Sequence, residues 1–126
     1  FYTVTMELIS ANPKVYKNHR TEPYFSYVRD GQKTIEGRLY KKLYKELTVG
    51  DSIHVYNYNE TESFLINVVG LRMYHSFREL LTHEVLSRVL PNTPTISDGV
   101  AIYEQFYTPE QQNEFGVVAI EVVKVI

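Results

Sequence analysis

The chain has 126 residues, 44% of them hydrophobic and 22% charged, with a formal net charge of −2. This length suits one domain with one sizeable core, and the composition excludes a wholly disordered chain, because enough apolar surface is present to offset chain entropy. No apolar run approaches ~18 residues, which excludes a helical membrane span, and the lack of cysteine excludes disulfides, a thiolate zinc site and a cysteine nucleophile.

Phe1 is not methionine, and Met6 is the expected natural start, with residues 1–5 an added extension. No basic segment followed by an apolar one marks a signal peptide. The expected location is intracellular, cytoplasmic or nuclear, with no membrane partner. Asn59-Glu60-Thr61 matches a glycosylation sequon but is assigned no role. Residues 1–21 read as an N-terminal segment and 22–126 as the domain.

Thr21-Glu22-Pro23 reads as a helix start, with Pro23 in the first turn, where its missing N–H costs nothing. The helix carries Phe25 and Val28 inward and stops at Gly31. Residues 34–39 alternate as a strand, with Ile35 and Leu39 on one side and Glu36 and Arg38 on the other. Gly37 inside it marks a bulge or a close approach to the backbone. Lys42 to Leu47 forms a short helical turn, and Val49-Gly50-Asp51 is a turn.

Ser52 to Tyr58 alternates again, with Ile53 and Val55 on one face and His54, Tyr56 and Tyr58 on the other. Asn59 to Ser63 closes a hairpin. Phe64 to Tyr74 is a long strand, with Gly70 as a bulge that bends it. Ser76-Phe77-Arg78-Glu79 has the capping-box spacing and starts a helix that buries Phe77, Leu80 and Leu81. Thr82 caps a second helix with Val85, Leu86 and Val89, and Pro91 and Pro94 break the chain. Ser97 caps a helix to about Tyr107, and Thr108-Pro109-Glu110-Gln111 is another capping box. Gly116 ends that turn, and Val117 to Ile126 is a strand apolar on both faces, hence central. Strands and helices do not alternate regularly, so the fold class is α+β: a small, mostly antiparallel barrel with peripheral helices.

The charge is unevenly spread. Residues 14–45 hold nine basic and three acidic groups, a balance of +6, which leaves −8 for the remainder. Such asymmetry places a basic face on an acidic chain, or else a solvated surface segment.

There is no Walker loop, GxGxxG, GxSxG or HExxH. The four histidines are scattered without ligand spacing, so no metal and no cofactor is expected. The densest constellation is Gly31-Gln32-Lys33-Thr34-Ile35-Glu36-Gly37-Arg38. Arginine forks onto phosphate or a base edge, and glutamate accepts from an exocyclic amine. Lysine supplies a compact charge, or a nucleophile or general base once burial lowers its pKa. The competing reading is a Glu36–Arg38 pair that only supports the sheet, with Lys33 solvated. Tyr40 and Tyr44, interleaved with Lys41, Lys42 and Lys45, are candidates for a surface platform. Tyr103 and Tyr107, one helical turn apart, either line a cleft or pack on the barrel.

Pro23-Tyr24-Phe25, the GxKxxExR motif at 31–38, Gly50-Asp51, Tyr74 to Leu81, Gly99 to Tyr103 and Gly116 to Ile120 occur in the order seen in ASCH domains. The chain resembles that family over about residues 22 to 124. The resemblance implies a PUA-like β-barrel with a motif-lined cleft that binds single-stranded RNA or a nucleotide, with Lys33, Thr34, Glu36, Arg38, Tyr40, Lys41, Lys42 and Tyr103 at the site. It also implies an alternative, because some members are small enzymes, amidohydrolases that deacetylate N4-acetylcytidine and at least one ribonuclease: this chain would then be a metal-independent hydrolase acting on RNA or a modified nucleoside. Lys33 and Glu36 would then be catalytic. The amidohydrolases carry a lysine, a threonine three positions later and a distant glutamate. Lys33 matches the lysine, Glu36 stands at the threonine position, and Glu79 and Glu84 lie in the region of the glutamate. A monomer is expected, and a protein partner is a third reading.

Overall fold

The computed structural model describes residues 4–5 and 12–125. Met6, the expected start, lies outside them. The elements in chain order are β1 (Val4–Thr5), β2 (Val15–His19), α1 (Tyr24–Arg29), β3 (Ile35–Leu39), α2 (Leu43–Glu46) and β4 (Ser52–Tyr56). β5 (Ser63–Tyr74), α3 (Phe77–His83), α4 (Leu86–Val89), α5 (Ile96–Glu104), α6 (Pro109–Phe115) and β6 (Val117–Lys124) follow.

The strands form one sheet in the order β2-β4-β5-β6-β3, with β1 also paired to β5. All pairings are antiparallel except β2 with β4. β5 holds the sheet together: its first half pairs with β4 and its second half with β6 and β1. The register shift between Val68 and Gly70 falls where a bulge was expected and bends the strand between its two sets of partners. The sheet curls into a half-barrel. No ladder among the described residues joins its edges β2 and β3, so the expected barrel is not closed by backbone pairing.

Both faces of the curl are covered. Alternation along β6 sends Val118, Ile120 and Val122 into the inside core with Ile53, Val55, Ile66 and Phe25 of α1. Val117 and Ala119 face outward onto Phe77, Leu80, Leu81 and Tyr103 of α3 and α5. β6 is therefore buried on both sides, as an apolar run predicts.

Several local expectations shift. Pro23 sits at the N-cap of α1 rather than inside its first turn, and the Glu22 carboxylate accepts from Ser26 N at 3.0 Å. Thr82 lies within α3, where its hydroxyl donates to Arg78 O at 2.6 Å, and α4 has no side-chain cap at Val85. α5 is capped by Thr95, which accepts from Asp98 N, not by Ser97. The Thr108 capping box is complete in both directions. Strand β2 was not predicted.

Candidate functional site

The open seam between β2 and β3 is where the motif gathers. Glu36 and Arg38 pair across the ladder with Ile120 and Val118, so both side chains project into the curl. Gly37, between them, faces the helices. A Cβ there would lie 2.7 Å from the Tyr103 hydroxyl, so only glycine lets Tyr103 come this close. Phe77 backs this wall, with Tyr103 and Tyr107 stacked on it at centroid distances of 4.2 and 5.2 Å.

Side chains bridge the seam where backbone pairing does not. Arg20, just past β2, donates from Nε to Glu36 Oε2 at 3.0 Å and from Nη1 to Asn18 Oδ1. Asn18 donates to Tyr44 Oη at 2.8 Å, and the Tyr44 ring lies 5.3 Å from the Arg38 guanidinium. Arg38 Nη2 returns to Glu36 Oε1 at 3.4 Å. The result is a closed polar circuit through β2, α2 and β3.

Lys33 is 3% exposed and its ammonium donates to Val89 O, with the Tyr24 ring 5.9 Å away. It is thus buried, not solvated. Three cations surround one carboxylate, which leaves two positive charges when Lys33 is protonated. Burial lowers the Lys33 pKa to about 8, with Arg20 and Arg38 adding to the effect and Glu36 opposing it. Burial works to raise the Glu36 pKa, but Arg20, Lys33 and Arg38 outweigh it and hold the group at about 2. Burial pushes the Tyr103 hydroxyl up, and its proton meets no acceptor.

Arg38 is the least satisfied member. Its two Nη contacts, to Glu36 and to Tyr107 Oη, are both 3.4 Å long, and its buried Nε has no partner. These groups line a cleft of about 240 Å³, together with His19, Tyr24 and Phe106. That volume is below the ~300–1,000 Å³ of ordinary ligand pockets.

Of the residues singled out in the sequence, Lys33, Glu36, Arg38, Tyr103 and Tyr107 meet in this cleft. Thr34 does not line it; its backbone bonds Arg88 O and Val122 N instead. Tyr40 packs on the inner core, the Lys41 ammonium lies 4.8 Å from the Phe115 ring centroid, and Lys42 is exposed at the start of α2. None of these three lines the cleft. The basic stretch is partly neutralised, with Lys17 on Glu60 and Arg29 on Asp30 and Glu62. Glu84 is bound to Arg72, and Glu79 faces His75, so neither glutamate lines the cleft. Among the described residues no group of three metal-ligating side chains gathers, and no helix is long and apolar enough to cross a membrane. Sequence reasoning missed Arg20, His19, Tyr24 and Phe106. The signal shared by His19, Arg20 and Tyr24 is the aromatic and basic density around 19–24, and Phe106 lies outside it.

A curled half-barrel sheet with helices packed on both faces and Lys33, Glu36 and Arg38 lining a cleft at its open seam stands where the resemblance implied a β-barrel with a motif-lined cleft. The ASCH domain family model matches residues 19–126, and the chain belongs to that family. It is similar to the crystal structure of hypothetical protein PH0355, at 35% identity and a TM-score of 0.79, over 88% of this chain and 99% of that one. It is also similar to the solution NMR structure of protein PF0455 from Pyrococcus furiosus, at 31% identity and a TM-score of 0.72, over 88% and 97%. No curated protein matches.

Proposed function

We propose that the chain binds single-stranded RNA or a nucleotide in the seam cleft. The observation that carries this reading is the surplus of two positive charges around Glu36, with Arg38 Nε buried and unpartnered. A buried guanidinium without a full set of acceptors is costly, and a phosphate or base edge supplies what it lacks. Arg38 forks onto phosphate or a base edge, and Lys33 adds a compact charge. Glu36 keeps the arginine planes fixed and has lone pairs left for an exocyclic amine. Tyr24 and Phe106 offer ring faces to a base. Lys41, Lys42 and Lys45 act at longer range on the approaching strand.

A second reading is favoured by the Lys33 pKa of about 8. A lysine near neutrality, close to a carboxylate, suits a metal-independent hydrolase acting on RNA or a modified nucleoside. Lys33 is then the base or nucleophile and Glu36 the proton carrier. One experiment separates the readings: end-labelled single-stranded RNA incubated with the protein in EDTA and run on native and denaturing gels, with Lys33→Ala as control. Shifted but intact RNA is the expected result. Shortened RNA that Lys33→Ala leaves whole makes the chain a hydrolase. No shift and no cleavage contradicts RNA binding and turns attention to modified nucleosides and protein partners.

A further inference from the structure

The cleft uses only part of the aromatic and basic surface around it. His19 belongs both to the cleft wall and to a row of rings outside it. In the parallel β2–β4 pairing, His19 stands beside Tyr56 and Lys17 beside His54. Ile53 and Val55 take the inner face of β4, so His54 and Tyr56 take the outer one. The His19 and Tyr56 rings are 5.8 Å apart, and Tyr56 stacks on His54 at 4.4 Å and 30°. The Lys17 ammonium lies 4.7 Å from the Tyr56 centroid. The row thus runs from the cleft outward, with its cation alongside.

On the nucleotide reading, a cleft of about 240 Å³ has room for no more than one nucleotide, so the rest of a bound strand must cross the surface. We infer that the outer face of β2 and β4 is a track for single-stranded RNA, continuing from the nucleotide in the cleft. Bases stack on Tyr56 and His54, and phosphates meet Lys17 and the His19 ring N–H. Two features favour a nucleic-acid strand as the occupant. His19 makes the row continuous with the cleft, and rings interleaved with a cation match bases interleaved with phosphates. The track rests on the nucleotide reading of the cleft. Glu60 opposes it: Oε1 holds Lys17 Nζ at 2.6 Å and lies 3.6 Å from His19 Nε2, where an incoming phosphate must displace it.

The test titrates the protein with each of the four nucleoside monophosphates and with a short random-sequence RNA. Tyr56→Leu is expected to weaken RNA binding about tenfold and leave monophosphate binding unchanged, because one stacking platform is lost. Tyr56→Phe keeps the ring and is expected to keep the affinity. Glu60→Gln is expected to strengthen RNA binding about threefold by releasing Lys17, a gain that misfolding cannot produce. RNA affinity unchanged in Tyr56→Leu and Glu60→Gln, with monophosphate still bound, overturns the track and leaves the cleft reading standing. A wild-type protein that binds no monophosphate overturns the cleft reading and the track with it.

Discussion

Two arginine–glutamate clusters sit on this sheet, and they are built in opposite ways. At one end Arg72 uses all three nitrogens. Nε and Nη2 bind Glu84 at 2.7 Å each, and Nη1 binds Glu121 at 2.9 Å. Tyr74 adds a further hydrogen bond to Glu84. Two carboxylates share one cation, and each of its three nitrogens has an acceptor. In the seam the ratio is reversed. Three cations share Glu36, and Arg38 reaches its acceptors only at 3.4 Å with Nε left over. A guanidinium engaged through all three nitrogens serves to lock β5 to β6 and to the residue after α3. On the proposed reading, an under-satisfied one beside an open cleft is a binding group held in place by its neighbours. Local charge balance, not the presence of buried ion pairs, distinguishes the two clusters.

The sharpest way to break this contrast is Arg72→Ala. It strands the Glu84 carboxylate, whose side chain is 6% exposed, and is expected to cost about 3 kcal/mol in urea unfolding. RNA affinity of the folded variant should stay at the wild-type level. A loss of stability below ~1 kcal/mol removes the structural role assigned to this cluster.

Lys33→Met goes the other way. It replaces a buried cation among cations with a neutral chain of similar length, so a gain of about 1 kcal/mol at pH 7 is expected, together with weaker RNA binding. The pH dependence follows from linkage. Lys33 titrates at about 8 when folded against an ordinary 10.5, so the unfolded chain holds more protons between those values. Wild-type stability therefore rises from pH 8 to about 10.5, and the advantage of the methionine variant shrinks over that window. Chemical denaturation across that range checks both signs.

The smallest effect is in the salt response. RNA affinity should fall with added salt, and Arg38→Ala should make the log–log slope shallower by about 0.7, one phosphate contact fewer. An unchanged slope assigns Arg38 to a base edge rather than to phosphate.

Much of this site was legible because strand alternation is strict wherever both faces are buried. Alternation along residues 34–39 put Glu36 and Arg38 on one face, and β3 keeps that register against β6. Gly37 was read as a bulge or a point of close approach; the β3–β6 register runs through it unshifted, and the Tyr103 hydroxyl is what approaches. Gly70 marked its bulge because a long strand must bend to serve two sets of partners. β2 was invisible for the opposite reason. It is an edge strand whose outward residues are Val15, Lys17 and His19 and whose other side holds only Tyr16 and Asn18, so no apolar alternation advertises it. Arg20 went unnoticed with it, since its role depends on β2 meeting β3 through space. Thr95 and Ser97 are both hydroxyls within two residues, and helical periodicity cannot choose between them.

The central claim is that Arg38 is held for a ligand and not for the fold. Calorimetric titration of Arg38→Ala with single-stranded RNA, alongside its urea unfolding curve, tests this directly. The account predicts a rise in Kd of about 10- to 100-fold, from lost charge-assisted hydrogen bonds, with stability within ~1 kcal/mol of wild type. Wild-type affinity in a variant that is several kcal/mol less stable would contradict it and make the seam a structural cluster like the one around Arg72.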